Sequence, residues 1–341
     1  MAVVDESAVA RFFQAVERGD TVAATEVVLE LWHCGVRTGE IVRSVLARSL
    51  EEVGRRWERA DWTVAQEHAA TAVADAALAT LLWTASSEGT RRARSGRMVV
   101  ACVENEWHSF AGRLAAADLL DAGLDVTFLG PSLPARHLAE YLDPAPPAAC
   151  GISCVALINL VGARQSIAAA HEVGVPVIAG GTAIRSAERA KALGADGWAA
   201  TGPDATALIE RWQRRPPILR RAIDVPPDVE VLRSPPTHLI DAAVDEMLLR
   251  YPPVARFDDD TLARTREDLI FILLHAAAAL VVDDPVLFLD FTAWLMRLLE
   301  PRRVPIRSIA LGYQALIEAL GPDFPSATAL LTGALNVLPG T

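Results

Sequence analysis

Between residues 98 and 215, short apolar runs alternate with stretches of helical period, and this alternation constrains the fold more than any other feature. The first run, 98–103, has no charged residue, as expected for a strand buried on both faces of a parallel sheet. Five β–α units of this kind predict a doubly wound, flavodoxin-like α/β domain over 97–215. The predicted strands are 98–103, 126–129, 150–157, 177–179 and 197–200, and the predicted helices are near 110–122, 134–142, 160–173, 183–193 and 203–213.

The regions on either side of this domain are predicted to be helical. Residues 1–88 carry four stretches of helical period with short connections, which favours a four-helix bundle. Thr63 and Gln66 have the spacing of a capping box at the start of the fourth helix. A Ser-, Gly- and Arg-rich segment at 86–97 is predicted to be a linker.

Beyond the α/β domain, residues 216–236 are rich in Arg and Pro and predict a second, stiffer linker. Residues 237–341 are predicted to be all-α. The helices predicted there are 237–250, 259–282, 285–299, 305–320 and 324–337.

Composition excludes several classes of protein. The 341-residue chain has a formal net charge of −11, so free nucleic acid is not an obvious partner. None of its four cysteines forms a Cys-x-x-Cys pair, so no zinc or redox motif is visible. The N-terminus lacks a signal-peptide pattern and no apolar run reaches membrane-spanning length, so we expect a cytoplasmic protein with no membrane partner.

Candidate ligand-binding residues follow three of the predicted strands. Glu106 and His108 come just after the first strand, Ser153 is in the third, and Gly180 and Gly181 end the fourth. The carboxyl ends of parallel strands share one edge of a sheet, where open α/β folds bind ligands. Glu106 can accept the second ring N–H of His108 and so fix its tautomer. These residues alone support a metal site or a phosphate site.

This pattern resembles the cobalamin-binding domain, whose signature is Asp-x-His-x-x-Gly, then Ser-x-Leu, then Gly-Gly. The resemblance implies that His108 is the lower axial ligand of cobalt, with Glu106 behind it. It also implies a groove for the nucleotide tail, lined by Ser153, Val155, Gly180 and Gly181. Relative to the signature, this sequence has Glu for Asp, Ala111 for Gly and Val155 for Leu.

A second pattern lies in the N-terminal region, where Trp57 is followed after nine residues by Glu67-His68. Without other information it reads as an aromatic core residue and a solvated helix start. The pattern resembles the helical cap of light-sensing transcriptional repressors of the CarH type. That resemblance implies that Trp57 covers the 5′-deoxyadenosyl group of adenosylcobalamin and that Glu67-His68 helps to hold it. Glu58 stands where those repressors have a histidine that captures cobalt after photolysis, which leaves His33 and His68 as candidates.

The CarH-type repressors also carry an N-terminal winged-helix DNA-binding domain. This chain begins at the cap, so we expect no direct DNA binding. We expect a homo-oligomer, most simply a dimer, whose downstream partner the sequence does not identify.

The C-terminal region offers a further set of candidates. A cobalamin cap and core joined to a globin-like helical domain resembles the photocobilins, which pair cobalamin with biliverdin. A bilin requires an apolar slot, a polar partner for its pyrrole nitrogens and Arg for its propionates. The resemblance assigns these contacts to His275, Trp294, Arg297, Tyr313 and the Arg302-Arg303 pair. From the residues alone, a structural core histidine and a dimerisation module stay open.

The sequence therefore predicts a photoreceptor, not an enzyme, in which light cleaves the Co–C bond of adenosylcobalamin and changes the arrangement of domains or oligomers. Biliverdin in the C-terminal domain would extend its sensitivity to red light. The alternatives are a corrinoid protein that carries methyl groups for a methyltransferase, and a cobalamin-storing protein.

Overall fold

The N-terminal region consists of helices around an apolar core of its own. The computed structural model describes residues 4–88, 96–250 and 258–338, so most of the linker predicted at 86–97 lies outside the described residues. A π-helical turn, Val42–Ala47, joins α3 to α4 without a break. The helices are α1 (Glu6–Glu17), α2 (Thr21–His33), α3 (Thr38–Ile41), α4 (Arg48–Glu58) and α5 (Val64–Glu88).

Helix α5 is the longest helix of this region. On length and composition alone, the stretch Val64–Ser87 is apolar enough to cross a membrane, since an 18-residue window in it has a mean hydropathy of 1.3. The expectation that no run reaches that length is wrong here, because the many alanines raise the hydropathy of that window. Residues of α5 such as Val73 and Leu81 are buried in the N-terminal core, and 39% of the apolar window is buried in the fold.

The central region is a five-stranded parallel sheet of order β2-β1-β3-β4-β5, which confirms the predicted flavodoxin-like topology. Cys102 pairs with Ser153 and Ser153 pairs with Gly180, so the ends of three strands lie side by side. The strands are β1 (Arg97–Cys102), β2 (Asp125–Phe128), β3 (Ala149–Ser153), β4 (Val177–Gly180) and β5 (Gly197–Trp198). The helices are α6 (Phe110–Asp121), α7 (Ala135–Leu142), α8 (Leu160–Glu172), α9 (Ala187–Ala192) and α10 (Gly202–Arg214).

Both faces of the sheet are covered. Met98 and Val100 of β1 join a core under α6 and α10, whereas Val99 and Ala101 join a core under α7 and α8. Successive side chains of a strand point to opposite faces, so a strand covered on both sides is apolar at every position.

Three predicted elements are clearly shorter than expected, one of them β5, which ends at Trp198 rather than at 200. Strand β3 ends at Ser153 rather than at 157. The N–H of Cys154 still donates to the carbonyl of Gly180 in β4, but the amides of Val155 and Ala156 donate to the Glu106 carboxylate instead of to a neighbouring strand. Helix α9 begins at Ala187 rather than near 183. Its N-terminus is capped by Ser186, whose hydroxyl accepts from the N–H of Arg189.

The N-terminal region docks on the sheet through charged groups of α6. Asp118 is buried, forms a salt bridge with Arg43 of the π-helical turn and accepts from the N–H of Gly202 at 3.3 Å. Asp121 accepts from the N–H of Gly39 at 3.0 Å. Helix α6 is therefore tied both to the N-terminal helices and to the start of α10.

The described part of the C-terminal region consists of helices joined by loops, with no strand. It shares one continuous apolar core with the face of the sheet that α7 and α8 cover. Its helices are α11 (Asp228–Leu232), α12 (Thr237–Arg250), α13 (Asp259–Val281), α14 (Pro285–Leu299), α15 (Ile306–Leu320) and α16 (Pro325–Leu335). The last five begin and end within two residues of the predicted helices.

The segment predicted as a stiff linker, 216–236, packs closely against both of its neighbours. Asp196 of the sheet region accepts from the N–H of Arg220 at 2.7 Å. Asp228 is buried and accepts from the first amides of α16, those of Ser326 and Ala327, at 3.0 Å each. These carboxylates fix the connection and satisfy helix-terminal donors that would otherwise lack a partner.

An aromatic cluster fills the centre of the C-terminal region. The His275 ring stacks on Phe291 with a centroid separation of 3.7 Å, and its Nδ1–H donates to the carbonyl of Phe271 at 2.9 Å. Burial lowers the pKa of His275 to about 4, although the Phe271 carbonyl acts in the opposite direction. Tyr313 is fully buried and shares a 2.8 Å hydrogen bond with Thr292.

His275 is therefore expected to make folding stability depend on pH. Its folded pKa lies below its unfolded value near 6.5, so the stability it contributes is complete above pH 6.5 and is lost as the pH falls towards 4. The loss amounts to about 3 kcal/mol. Urea unfolding at pH 7.5 and 4.5 should show this decline in wild type and a smaller one in His275→Leu. His137→Gln, which removes an exposed histidine, is the control, and an equal decline in His275→Leu would contradict the assignment.

Candidate functional site

A buried carboxylate organises the edge of the sheet where the predicted ligand residues meet. Glu106 is 0% exposed. Its Oε2 accepts from the N–H groups of Val155 and Ala156, both at 2.8 Å, and from Asn159 Nδ2 at 3.1 Å. Its Oε1 accepts from the N–H of His108 at 3.1 Å and from His108 Nδ1 at 2.6 Å. One side chain thus joins the loop after β1 to the loop after β3.

These donors determine the charge of Glu106. Burial by itself raises the pKa of the carboxyl, but the hydrogen bonds from His108, from the two backbone amides and from Asn159 outweigh it. The resulting pKa of Glu106 is about 2, so the group is an anion at neutral pH.

His108 is presented outward in a defined tautomer. Because Glu106 is ionised, the short contact at Nδ1 is a donated hydrogen bond, and in the neutral ring the lone pair is on Nε2. The imidazole side chain is 65% exposed. The hydrogen bond to Glu106 raises the pKa of His108 against the opposing effect of burial, and the charge of Glu67 raises it further. This arrangement suits a single metal ligand held by a carboxylate behind it.

The loop that carries His108 is held in an unusual backbone conformation. Asn105 and Ser132 have φ angles of 64° and 51°. The N–H of Asn105 donates to Ser132 Oγ, and the N–H of Ser132 donates to the carbonyl of Glu106, both at 3.0 Å. Asn tolerates positive φ better than most residues, so Asn105 was a usable sequence signal that our prediction did not include.

A cavity of 460 Å³ lies at the same edge of the sheet, next to the first turn of α6, which follows this loop. Ser153, Gly180 and Gly181 line it, as predicted, and Arg43 of the N-terminal region borders it. A Cβ on Gly181 (φ 101°) would lie 2.2 Å from the carbonyl oxygen of Cys154, so only glycine is accommodated there.

Within the cavity wall, the Ser153 hydroxyl is the feature that points to a bound group. Its Oγ is buried and has no hydrogen-bond partner of ordinary geometry among the described residues, although the weakly polar thiol of Cys102 lies close enough to interact with it. A buried hydroxyl left in this state favours a polar ligand group. The residues present therefore fit an elongated ligand, with a metal at His108 Nε2 and a tail in the cavity.

Val155, also predicted to line the groove, is not among the residues that line the cavity. Its N–H donates to Glu106 and its carbonyl accepts from Thr182 Oγ1 at 3.0 Å. Asn159 and the amide of Ala156, which the sequence prediction missed, complete the same carboxylate cradle. Gly112, one residue after the expected glycine, lies on α6 against Phe128 and Cys102.

The predicted cap residues are close to this loop. Glu67 in the first turn of α5 accepts from His68 Nδ1 at 2.6 Å and from Thr71 Oγ1 at 3.1 Å. Its charge contributes to raising the pKa of His108, so Glu67 lies near enough to His108 to act on it electrostatically. Trp57 is in the last turn of α4, and the short connection to α5 brings it to the same end of the bundle as Glu67.

The connection between α4 and α5 is firmly built. The Arg56 guanidinium lies 4.7 Å from the ring centroid of Phe13 and 5.3 Å from that of Trp62. The capping box is confirmed: the N–H of Thr63 donates to Gln66 Oε1 at 2.9 Å, and the N–H of Gln66 donates to Thr63 Oγ1 at 3.3 Å.

The remaining candidates are more dispersed. His33 is exposed and meets Trp32 edge to face, whereas the Glu58 carboxylate faces Arg297 at 3.9 Å. Trp294 adjoins Phe291 in the aromatic cluster, with centroids 6.0 Å apart. His275 and Tyr313 are core residues, and Arg297 is on the surface beside an open depression of 580 Å³.

Comparison with known proteins agrees with this geometry. Two models described as B12 binding domain match the chain, one over residues 8–82 and the other over 96–210. Their boundaries coincide with the N-terminal helices and with the α/β region.

Two similar proteins belong to different functional classes. The HTH-type transcriptional repressor CarH of Myxococcus xanthus is 36% identical over 145 residues, which are 42% of this chain and 47% of the repressor. The chain thus spans about half the length of that relative. The dimethylamine corrinoid protein of Methanosarcina barkeri is 29% identical over 192 residues, which are 55% of this chain and 88% of that protein.

A solved structure supports the fold. The monomethylamine corrinoid protein of Methanosarcina barkeri superposes with a TM-score of 0.51 at 17% identity, covering 61% of this chain and all of that one. Together with the two family matches and the cradle around His108, this makes the chain a cobalamin-binding protein with a Rossmann-like B12 binding domain, similar to CarH over part of its length.

Proposed function

We propose that the protein is an adenosylcobalamin-dependent photoreceptor rather than an enzyme. The observation that carries the proposal is the His108 ring, 65% exposed and held at Nδ1 by the buried Glu106 carboxylate, at the edge of the sheet on which the N-terminal helices dock. The position of Glu67-His68 after Trp57 supports a light-sensing cap of the CarH type in particular. The chain's own residues would respond through relative movement of the N-terminal helices and the sheet.

The residues divide into two sides of one site. On the sheet side, His108 would hold cobalt and the cavity at Ser153 would take the nucleotide tail. On the helical side, Trp57 and Glu67 would enclose the upper ligand. Adenosylcobalamin, when bound, supplies a cobalt–carbon bond that visible light breaks. The docking contacts between the two sides include the salt bridge of Arg43 with Asp118 and the hydrogen bond from the N–H of Gly39 to Asp121. A change at the upper face would act on the interface that these polar contacts hold.

A corrinoid methyl carrier is the second candidate function. It is favoured by the similarity to the dimethylamine corrinoid protein over 88% of that protein's length. The two candidates differ in what the upper face must do: a carrier must open it to a methyltransferase, whereas a photoreceptor must keep it enclosed in the dark. The C-terminal region packs on the sheet and contacts the N-terminal helices beside Trp57, which favours the enclosed arrangement.

The photoreceptor proposal predicts a change that light alone produces. Protein loaded with adenosylcobalamin in the dark should change its absorption spectrum after green light and elute differently on size exclusion, because the contacts that enclose the upper ligand are lost. Dark incubation for the same time is the control. An unchanged spectrum together with unchanged elution would contradict the proposal and leave the methyl carrier or a storage protein.

The ligand assignment predicts a specific loss in His108→Ala. The bound cobalamin should lose its histidine-ligated absorption spectrum, because the variant has no imidazole at residue 108 to bind cobalt. His137→Ala removes an exposed histidine on α7 and should behave as wild type. Retention of the histidine-ligated spectrum in His108→Ala would refute the assignment.

The carboxylate behind the ligand can be tested separately. Glu106→Gln should weaken cobalamin binding roughly 10- to 100-fold, the usual effect of removing a group that orients a metal ligand. Both carboxylate oxygens now accept hydrogen bonds, whereas the NH₂ of an amide accepts none, so either the donors at Oε1 or those at Oε2 lose their acceptor. Glu104→Gln changes an exposed glutamate in the same loop and is the matched control. Equal affinities of the two variants, measured by equilibrium titration, would show that Glu106 has no such role.

Biliverdin binding by the C-terminal region stays a prediction. The aromatic cluster around Phe291 and the cationic Arg297 beside the open depression are the features that favour it. Titration of the protein with biliverdin should produce a red-shifted absorption band, and Arg297→Gln should weaken it because a propionate partner is lost. The absence of any band shift would remove this part of the function and leave the cobalamin proposal intact.

A further inference from the structure

The C-terminal region touches the predicted upper side of the cobalamin site through one arginine. Arg302 follows α14 and donates from Nη2 to the carbonyl of Trp57 and from Nη1 to the carbonyl of Glu58, both at 3.0 Å. Its guanidinium carbon also lies 5.5 Å from the centroid of the Trp57 ring. The same side chain thus holds both the backbone and the ring of Trp57.

This contact is physically favourable on three counts. Arg302 donates to two of the last carbonyls of α4, that of Glu58 and that of Trp57, which also accepts from the N–H of Ala60 at 3.0 Å. A cation at a helix C-terminus interacts favourably with the helix dipole. A guanidinium over an indole adds a cation–π attraction, which is strongest for tryptophan.

Arg302 is itself held in place. Its Nη1 also donates to the carbonyl of Leu298 in α14 at 2.7 Å. The turn that carries it is closed by backbone hydrogen bonds to the carbonyl of Leu299 from the N–H groups of Arg302 and Val304, at 3.1 and 3.2 Å. A second cation, Arg297, faces the Glu58 carboxylate at 3.9 Å. The contact with Trp57 is therefore made by a side chain on an ordered turn rather than by a flexible side chain.

The position of this turn is fixed relative to the sheet. The C-terminal helices share one continuous core with the face of the sheet that bears α8, and α13 packs against α8. The sheet also carries the loop of His108. Through Arg302, the place of Trp57 relative to His108 is set by the C-terminal region as well as by the N-terminal helices. Both family-matched segments end before residue 211, so neither includes Arg302.

We infer that Arg302 is a positioning residue for Trp57, which makes the C-terminal region a structural part of the upper cobalamin site. This inference rests on the proposed function, in which Trp57 covers the upper ligand. A movement of Trp57 would then break the contact with Arg302 directly, so the turn after α14 is the first part of the C-terminal region to register it.

The first test uses the protein without cobalamin. Arg302→Gln should speed hydrogen exchange of the backbone amides in the α4–α5 connection, residues 59–63, because the end of α4 loses its external anchor. Arg303→Gln, in the same turn with an exposed side chain, is the matched control. Unchanged exchange in Arg302→Gln would overturn the inference whether or not the chain binds a cobalamin.

The second test separates positioning from general stability. Arg302→Gln should weaken binding of adenosylcobalamin on the order of tenfold, the effect expected from losing one charged hydrogen-bonding contact. The affinity for hydroxocobalamin, which has a small upper ligand, should change by less than about twofold, on the same scale of free energies. Arg302→Lys keeps the charge without the fork and should fall between. Equal losses for both cobalamins would mean a merely structural role and would overturn the inference.

The third test asks whether Arg302 acts through Trp57. In a Trp57→Ala background, Arg302→Gln should cause little further loss of adenosylcobalamin affinity, so the double-mutant cycle is non-additive. Additive losses would overturn the inference. If wild type binds neither cobalamin, the proposed function fails, and the exchange experiment still decides whether Arg302 positions Trp57.

Discussion

The ionised carboxylate of Glu106 is the interaction on which the site depends. An unpaired buried charge is strongly unfavourable, so each donor around it is required for the fold as well as for any chemistry. The donors come from two loops, those after β1 and β3, and the carboxylate therefore sets the spacing between them. The tautomer of His108 follows from the same contact. The loop geometry and the availability of Nε2 thus have one physical cause.

Local patterns were sufficient to predict the elements and much of the site. The alternation of apolar runs and helical stretches predicted the doubly wound parallel sheet, and the rule that parallel strands end at one edge grouped His108 with Ser153 and Gly181. The capping box at Thr63 is equally local. These features depend on residues within a few positions of one another or on a general rule of topology, so a single sequence contains them.

The features that the sequence did not predict depend on distant partners. Strand β3 ends early because a carboxylate almost 50 residues before it takes the amides of Val155 and Ala156. The segment 216–236 has the composition of a linker, yet carboxylates outside and inside it fix it in the fold. The contact of Arg302 with Trp57 spans 245 residues. No periodicity or motif marks such pairs, because each is created only when two regions dock.

Residue 58 connects these points with the proposed function. The resemblance to light-sensing repressors places a cobalt-capturing histidine there, whereas this chain has a glutamate whose carboxylate faces Arg297 and whose carbonyl accepts from Arg302. The same position is thus used for contact with the C-terminal region. Under the proposed function, a displaced Trp57 has no histidine at residue 58 to trap a new state, and the change in the end of α4 is passed to the turn after α14. A chain built this way would signal through its C-terminal region rather than through capture by residue 58.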